Sequence, residues 1–221
     1  MVMLFGVLLL LGGAIYRYRV CNLSDLVSKD TVIRVACLGD SLTRMVEPVA
    51  YPTQLQGLLG RGWEVRNFGL GTATVLSFGD LPYLKSREFE DALAWEPHAV
   101  IILLGTNDSK PRHWYYRDDF VRDYHWMVDR LQQIPTRPRI WIAYPPPAFP
   151  GQWGIRDSVI REEMIPRLKK IARRQGVPVI DLYAVFAGHP ELFPDQIHPT
   201  EQGLALLAET VHKALLAEVR P

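Results

Sequence analysis

The sequence predicts a single α/β domain with a parallel sheet covered by helices on both faces. Three observations predict it. Five short apolar runs alternate with longer segments of helical period, the central run is apolar on both faces, and 221 residues suffice for one well-buried domain. That alternating order joins parallel strands through right-handed crossovers.

The elements follow in chain order. Val2–Tyr16, "VMLFGVLLLLGGAIY", is an uncharged apolar run of about 15 residues, short of the roughly 20 that span a bilayer. Residues 1–19 are therefore expected to be a signal or a membrane anchor, with residues 2–16 as the attachment if it is retained. Arg17 and Arg19 follow the run and no small-x-small cleavage site precedes Cys21, so both readings stay open. The expected location is secreted, periplasmic or membrane-anchored. "NLSDLVSKD" reads as a polar linker within residues 20–30, and the folded domain is expected over 31–221.

"TVIRVACLG" predicts the first strand, "YPTQLQGLLG" a short helix stopped by glycine, and "WEVRNFG" the second strand. "HAVIILLG" predicts a strand buried on both faces. "RDDFVRDYHWMVDRLQQI" places Phe120, Val121, Tyr124, Met127, Val128 and Leu131 on one side of a helix, and "PRIWIAYPPP" returns to a strand ended by prolines. "SVIREEMIPRLKKIARRQG" is a helix kinked or restarted at Pro166 and closed by Gly176. "VPVIDLY" is the fifth strand, and Thr200 caps a last amphipathic helix.

Charge and cysteine content exclude some function classes. Lys and Arg number 25 against 24 Asp and Glu, a net charge of +1 with no basic cluster, which argues against nucleic acid as a partner. Cys21 and Cys37 have neither a disulfide framework nor metal-ligand spacing and read as free thiols.

Ligands of open parallel sheets bind beyond the carboxyl ends of the strands. Polar groups directly after strands are therefore the candidates: "GDSLT", "NFGLGTAT" and "LGTNDSKP", joined by "FPDQIHPTEQG" before the last helix. A serine becomes a nucleophile when a base takes its proton and a carboxylate fixes the base's tautomer. Ser41 follows a strand directly, and Asp195 and His198 lie three apart in a loop braced by Pro194 and Pro199. Alternatives at this level are a turn residue for Ser41 and a backbone-bonded loop residue for His198. The amide of Asn107 can donate to an oxyanion, and Gly69 and Gly71 let a backbone N–H point into the same space. An Asx turn at Asn107 and Asp108 is the other reading.

The four groups resemble, in order and spacing, the blocks of the SGNH hydrolases, also called the GDSL esterase/lipase superfamily. The resemblance covers nearly all of the chain from about residue 31. "GDLPY", "LGTNDSKPRHW" and "LYAVFAGHPELFPDQIHPTEQG" are further similar to the branch containing sialate O-acetylesterase-like and related carbohydrate esterases. The resemblance implies a flavodoxin-like three-layer α/β/α fold with about five parallel strands. It also implies Ser41 as nucleophile, His198 as general base and Asp195 as its orienter. The implied oxyanion donors are the Ser41 N–H, an N–H of the second block and the Asn107 side chain. At the second-block position usually held by glycine stands Thr72, with Gly71 one residue earlier, so the donor there is Thr72 or Gly71.

A rival dyad of His189 and Asp181 is disfavoured, His189 being read as lacking a carboxylate at comparable short range in sequence. Asp40 is read as a buried carboxylate bonding loop N–H groups. Trp114, Tyr115, Tyr116 and Trp153 are candidate sugar platforms, or else cover the edge of the core. The expected activity is hydrolysis of short O-acyl esters, acetyl above all, on small molecules or carbohydrates through an acyl-enzyme, with no metal or organic cofactor. Lipase, lysophospholipase, thioesterase or O-acetyltransferase activity with the same residues, or an inactive carbohydrate-binding protein, are the alternatives.

Overall fold

The computed structural model describes residues 8–11, 14–17, 20–28, 31–149 and 153–219. Five strands build the central sheet: β1 (Ile33–Gly39), β2 (Trp63–Gly69), β3 (Ala99–Leu103), β4 (Arg139–Tyr144) and β5 (Val179–Asp181). Their order is β2-β1-β3-β4-β5 with every neighbouring pair parallel, the flavodoxin-like doubly wound arrangement. All five were legible as apolar runs.

The helices are α1 (Leu23–Ser28), α2 (Ser41–Arg44), α3 (Tyr51–Leu59), α4 (Arg87–Ala94), α5 (Pro111–Trp114), α6 (Arg117–Gln132), α7 (Asp157–Val159), α8 (Ile165–Gln175), α9 (Leu182–Phe186) and α10 (Glu201–Ala217). Successive side chains of a strand point to opposite faces, so β1 divides its apolar residues between two cores. Ala36 and Leu38 join Phe89 of α4, Phe120, Tyr124 and Met127 of α6, and Leu168 of α8. Val35 and Cys37 join Leu23 of α1, Tyr51 and Leu55 of α3, and Leu204, Leu207 and Val211 of α10. Three layers result.

The expected punctuation is present. Gly60 (φ +75°) follows α3, Gly176 (φ +66°) ends α8 with its N–H on the Ala172 carbonyl, and Thr200 caps α10 by accepting from Gly203 N at 3.2 Å. Pro166 is the second residue of α8, which continues directly from α7 and the turn that follows it. That turn, Ile160–Met164, is wound as a π-helix, so the irregularity expected at Pro166 is a π turn inside one continuous helical run and not a restart.

Two expectations need correction. The stretch read as a linker contains α1, because Leu23 is buried in the second core and Leu26 packs against the same cluster three residues on. Cys21 N also donates to the Arg137 carbonyl at 2.8 Å, so the packed domain includes residues before 31. Helix α4, between β2 and β3, was not anticipated. The expected signal or anchor lies largely outside the described residues, which hold of it only the antiparallel backbone of Leu8–Leu11 and Ala14–Arg17. Among the described residues no helix is long and apolar enough to cross a membrane.

Strand register places the candidate site. Gly39 pairs with both Gly69 and Leu103, so β1, β2 and β3 end in one row. The first three polar blocks all leave the sheet from that row.

Candidate active site

Ser41 opens α2 immediately after β1. The Asp40 side chain caps this turn by accepting from Leu42 N at 3.0 Å, and its carbonyl accepts from Thr43 N and Arg44 N. The chain can double back so sharply only because two strand ends lack a side chain. A Cβ on Gly39 would stand 1.9 Å from Thr43 Oγ1 and 2.7 Å from the Leu103 carbonyl, and one on Gly69 2.3 Å from Arg44 N. Asn67 then ties the turn to β2, its Nδ2 donating to the Thr43 carbonyl at 3.0 Å and its Oδ1 accepting from Gly69 N at 2.9 Å.

His198 reaches this serine from the loop before α10. Its Nε2 lies 2.9 Å from Ser41 Oγ and its Nδ1 2.6 Å from Asp195 Oδ2. An ionised carboxylate only accepts, so Nδ1 carries the proton and Nε2 faces the serine hydroxyl as an acceptor. The other carboxylate oxygen accepts from Ile197 N at 3.0 Å and His198 N at 2.6 Å. Partial burial pushes the Asp195 carboxyl up, but the bonds from His198 and from Ile197 N outweigh it and leave the group below the ordinary range. The loop is held by Gln196 in the left-handed region (φ +74°), with Gln196 N on the Phe193 carbonyl and Phe149 N on the Gln196 carbonyl. Ser41, His198 and Asp195 are thus brought together in one hydrogen-bonded line.

Asn107 and Asp108 follow β3 and stitch the second and third blocks together. Asn107 is buried, with Nδ2 donating to the Ala73 carbonyl at 3.2 Å and lying 3.5 Å from Asp40 Oδ2. Asp108 accepts from Val75 N and Leu76 N, both at 3.0 Å. Burial raises both acids, Asp40 to about 6 and Asp108 to about 7, against the bonds that each accepts. Asp40 is the buried loop-bracing carboxylate that the sequence suggested.

The second block turns at Leu70–Ala73, closed by Ala73 N on the Leu70 carbonyl at 3.1 Å. Thr72 takes the left-handed conformation there (φ +64°), while Gly71 does not have positive φ. A turn of this sign pattern wants glycine at its third residue, and a β-branched side chain is strained by about 1–2 kcal/mol. Glycine stands one position too early. Thr72→Gly is therefore expected to raise the unfolding free energy by about 0.5–1 kcal/mol after the extra chain entropy is offset, read as a higher urea midpoint. Gly71→Ala should be nearly neutral, since its added Cβ would meet nothing nearer than Arg44 Cδ at 3.9 Å.

The proposed rim aromatics divide. Trp114 is a correction: it is 3% exposed, packs on Phe120, and donates its indole N–H to Glu163 Oε2 at 3.0 Å, leaving no face for a ligand. Its neighbours turn outward. Tyr115 and Tyr116 are exposed and stack edge-on, Tyr116 meeting Phe78 of the second-block loop at 4.9 Å, and Trp153 is also exposed. Phe78 was not foreseen. His189 has a carboxylate after all, with Nδ1 2.9 Å from Glu191 Oε1, but the imidazole that meets Ser41 is that of His198.

The family model described as the GDSL-like Lipase/Acylhydrolase family matches residues 37–206. An acetylxylan esterase of Xylanibacter ruminicola is 38% identical over 210 residues, which cover 85% of this chain and 44% of the relative. The chain thus spans under half the length of that curated relative. Among solved structures, a carbohydrate acetylesterase from Sinorhizobium meliloti superposes with a TM-score of 0.68 at 20% identity, over 84% of this chain and 99% of its own. A lipase/acylhydrolase from Enterococcus faecalis gives 0.71 at 21%, over 86% and 98%. At such identities these two structures bear on the fold alone, and they differ in their named substrates. With its ordered blocks meeting on one sheet edge and a family match across most of the folded domain, the chain belongs to the GDSL-like lipase/acylhydrolase family of serine hydrolases.

Proposed function

We propose that the protein hydrolyses acetyl and other short O-acyl esters of carbohydrates through an acyl-enzyme on Ser41. The observation that carries this reading is the unbroken line from Asp195 through His198 to Ser41 Oγ, at 2.6 and 2.9 Å. Ser41 Oγ attacks the ester carbonyl while His198 Nε2 takes its proton, and Asp195 stabilises the imidazolium that forms. The oxyanion is met by the Ser41 N–H, an N–H of the Gly71–Thr72 turn and Asn107 Nδ2. His198 returns its proton to the leaving alkoxide, and water, activated by the same imidazole, then releases the acid.

The carbohydrate part is supported by the acetylxylan esterase relative and by the exposed rings of Phe78, Tyr115 and Tyr116 on loops that continue the second and third blocks. Acetylated xylo-oligosaccharides and a series of 4-nitrophenyl esters given to the purified protein test it, with Ser41→Ala as the control. Acetyl turnover is expected to exceed octanoyl turnover by about tenfold or more in kcat/KM, with acetate released from the sugars. Preference for long acyl chains would instead identify a lipase or thioesterase.

A further inference from the structure

We infer that His113, held by Asp80, is a positioning residue that fixes Asn107 for oxyanion binding, an inference that rests on the esterase reading above. His113 is buried on α5, with Nδ1 2.8 Å from the Asn107 main-chain carbonyl and Nε2 3.2 Å from Asp80 Oδ1. A carbonyl oxygen only accepts, so Nδ1 is the donor, and Nε2 pairs with the Asp80 carboxylate when it carries a proton as well. Asp80 is itself paired with Arg112 and lies in the second-block loop, 33 residues before His113 in the chain. The imidazole therefore spans the two loops that supply the oxyanion donors other than Ser41.

Local structure alone holds Asn107 weakly. It opens a single three-residue 3₁₀ turn with no side-chain cap before it, and the turn bond that its carbonyl accepts, from Lys110 N, is long at 3.4 Å. The bond from His113 is much the shorter of the two. It sets the Asn107 peptide plane and with it the direction of the Cα–Cβ bond, leaving the Nδ2 bond to the Ala73 carbonyl to fix the amide's rotation. His113 is in turn anchored by the next residue, Trp114, locked into the core by Glu163. An oxyanion donor acts through its distance to an atom that becomes charged only in the transition state. Loosening that donor therefore lowers kcat and leaves substrate binding alone.

The test uses the full chain, 4-nitrophenyl acetate as substrate and the rate of inactivation by a 4-nitrophenyl alkylphosphonate as a probe of the tetrahedral state. His113→Leu is expected to lower kcat and phosphonate inactivation in parallel by about tenfold to a hundredfold, with KM within about twofold. His113→Asn, whose amide N–H falls near the position of Nδ1, should recover activity to within about threefold of the parent, a rescue that a packing role would not give. Unchanged kcat in a folded His113→Leu, or His113→Asn no better than Leu, overturns the inference. If His113→Leu fails to fold, Asp80→Ala, which removes the contact at the partly exposed end, decides: lower kcat at constant KM sustains it, and unchanged kcat overturns it. Ser41→Ala run alongside separates the two claims. Turnover surviving in Ser41→Ala refutes the esterase reading, whereas Ser41-dependent turnover indifferent to His113 and Asp80 overturns only the positioning role.

Discussion

Ser41→Ala is expected to reduce turnover of an acetyl ester by about 10⁴-fold or more while leaving the melting temperature within about a degree of the parent. The first half follows from the line of bonds, because among the described residues no other hydroxyl is hydrogen-bonded to His198 Nε2. The second follows from exposure, since the lost bond joins Ser41 to a ring that is still 30% exposed and can re-solvate. His198→Ala should cost about as much, and the double variant little more, because residues acting as one unit do not add. Asp195 is 44% exposed, so solvent takes over part of its charge stabilisation and Asp195→Ala should be the mildest of the three. Steady-state rates on purified variants check all four. Comparable rates in Ser41→Ala would remove the nucleophile assignment.

Asn107→Ala should differ in kind. Losing an oxyanion donor is expected to cost about 10²–10³ in kcat with little change in KM. It also removes the donor from the buried Ala73 carbonyl, so stability should fall by about 1–3 kcal/mol, seen as a lower urea midpoint. Asn107→Asp should be worse on both counts. It would set a third carboxylate 3.5 Å from Asp40, between two acids whose burial already raises them to about 6 and about 7. The contrast with Ser41→Ala separates a group that reacts from one that also holds the loops together.

What could be read in the sequence was what repeats or stands next to its partner. β3 is buried throughout, so "AVIIL" declared itself, and Thr200, Gly60 and Gly176 marked helix ends through local chemistry alone. Asp195 and His198 sit in one turn, and their relation is local too. Helix α4 was missed because only Phe89 and Ala92 of its eight residues are buried. Its signal was the cap, Ser86 Oγ accepting from Phe89 N at 3.1 Å, followed by Glu88 and Glu90 in the first turn.

The aromatic run Trp114–Tyr116 misled for the opposite reason. Three neighbouring rings look alike in a string, yet a helical turn sends Trp114 into the core and Tyr115 into solvent. Asp80 and His113 have no signature, since what unites them is the crossing of two loops. Thr72 shows a further limit: the string revealed an unexpected residue at a glycine position, and only the backbone gave the φ that makes it matter.

The bond between Ser41 and His198 spans 157 residues of chain, the serine sitting at the end of the sheet's first strand and the histidine just before its last helix. A ribosome therefore exposes the serine long before the base exists, and the growing chain carries a hydroxyl that can do no acyl chemistry. Only when β5 has added to the sheet edge and α10 has packed beside α3 does the imidazole arrive. Recovery of activity on refolding should thus lag the recovery of secondary structure, and truncation before His198, which removes both the base and the α10 face of the second core, should abolish hydrolysis.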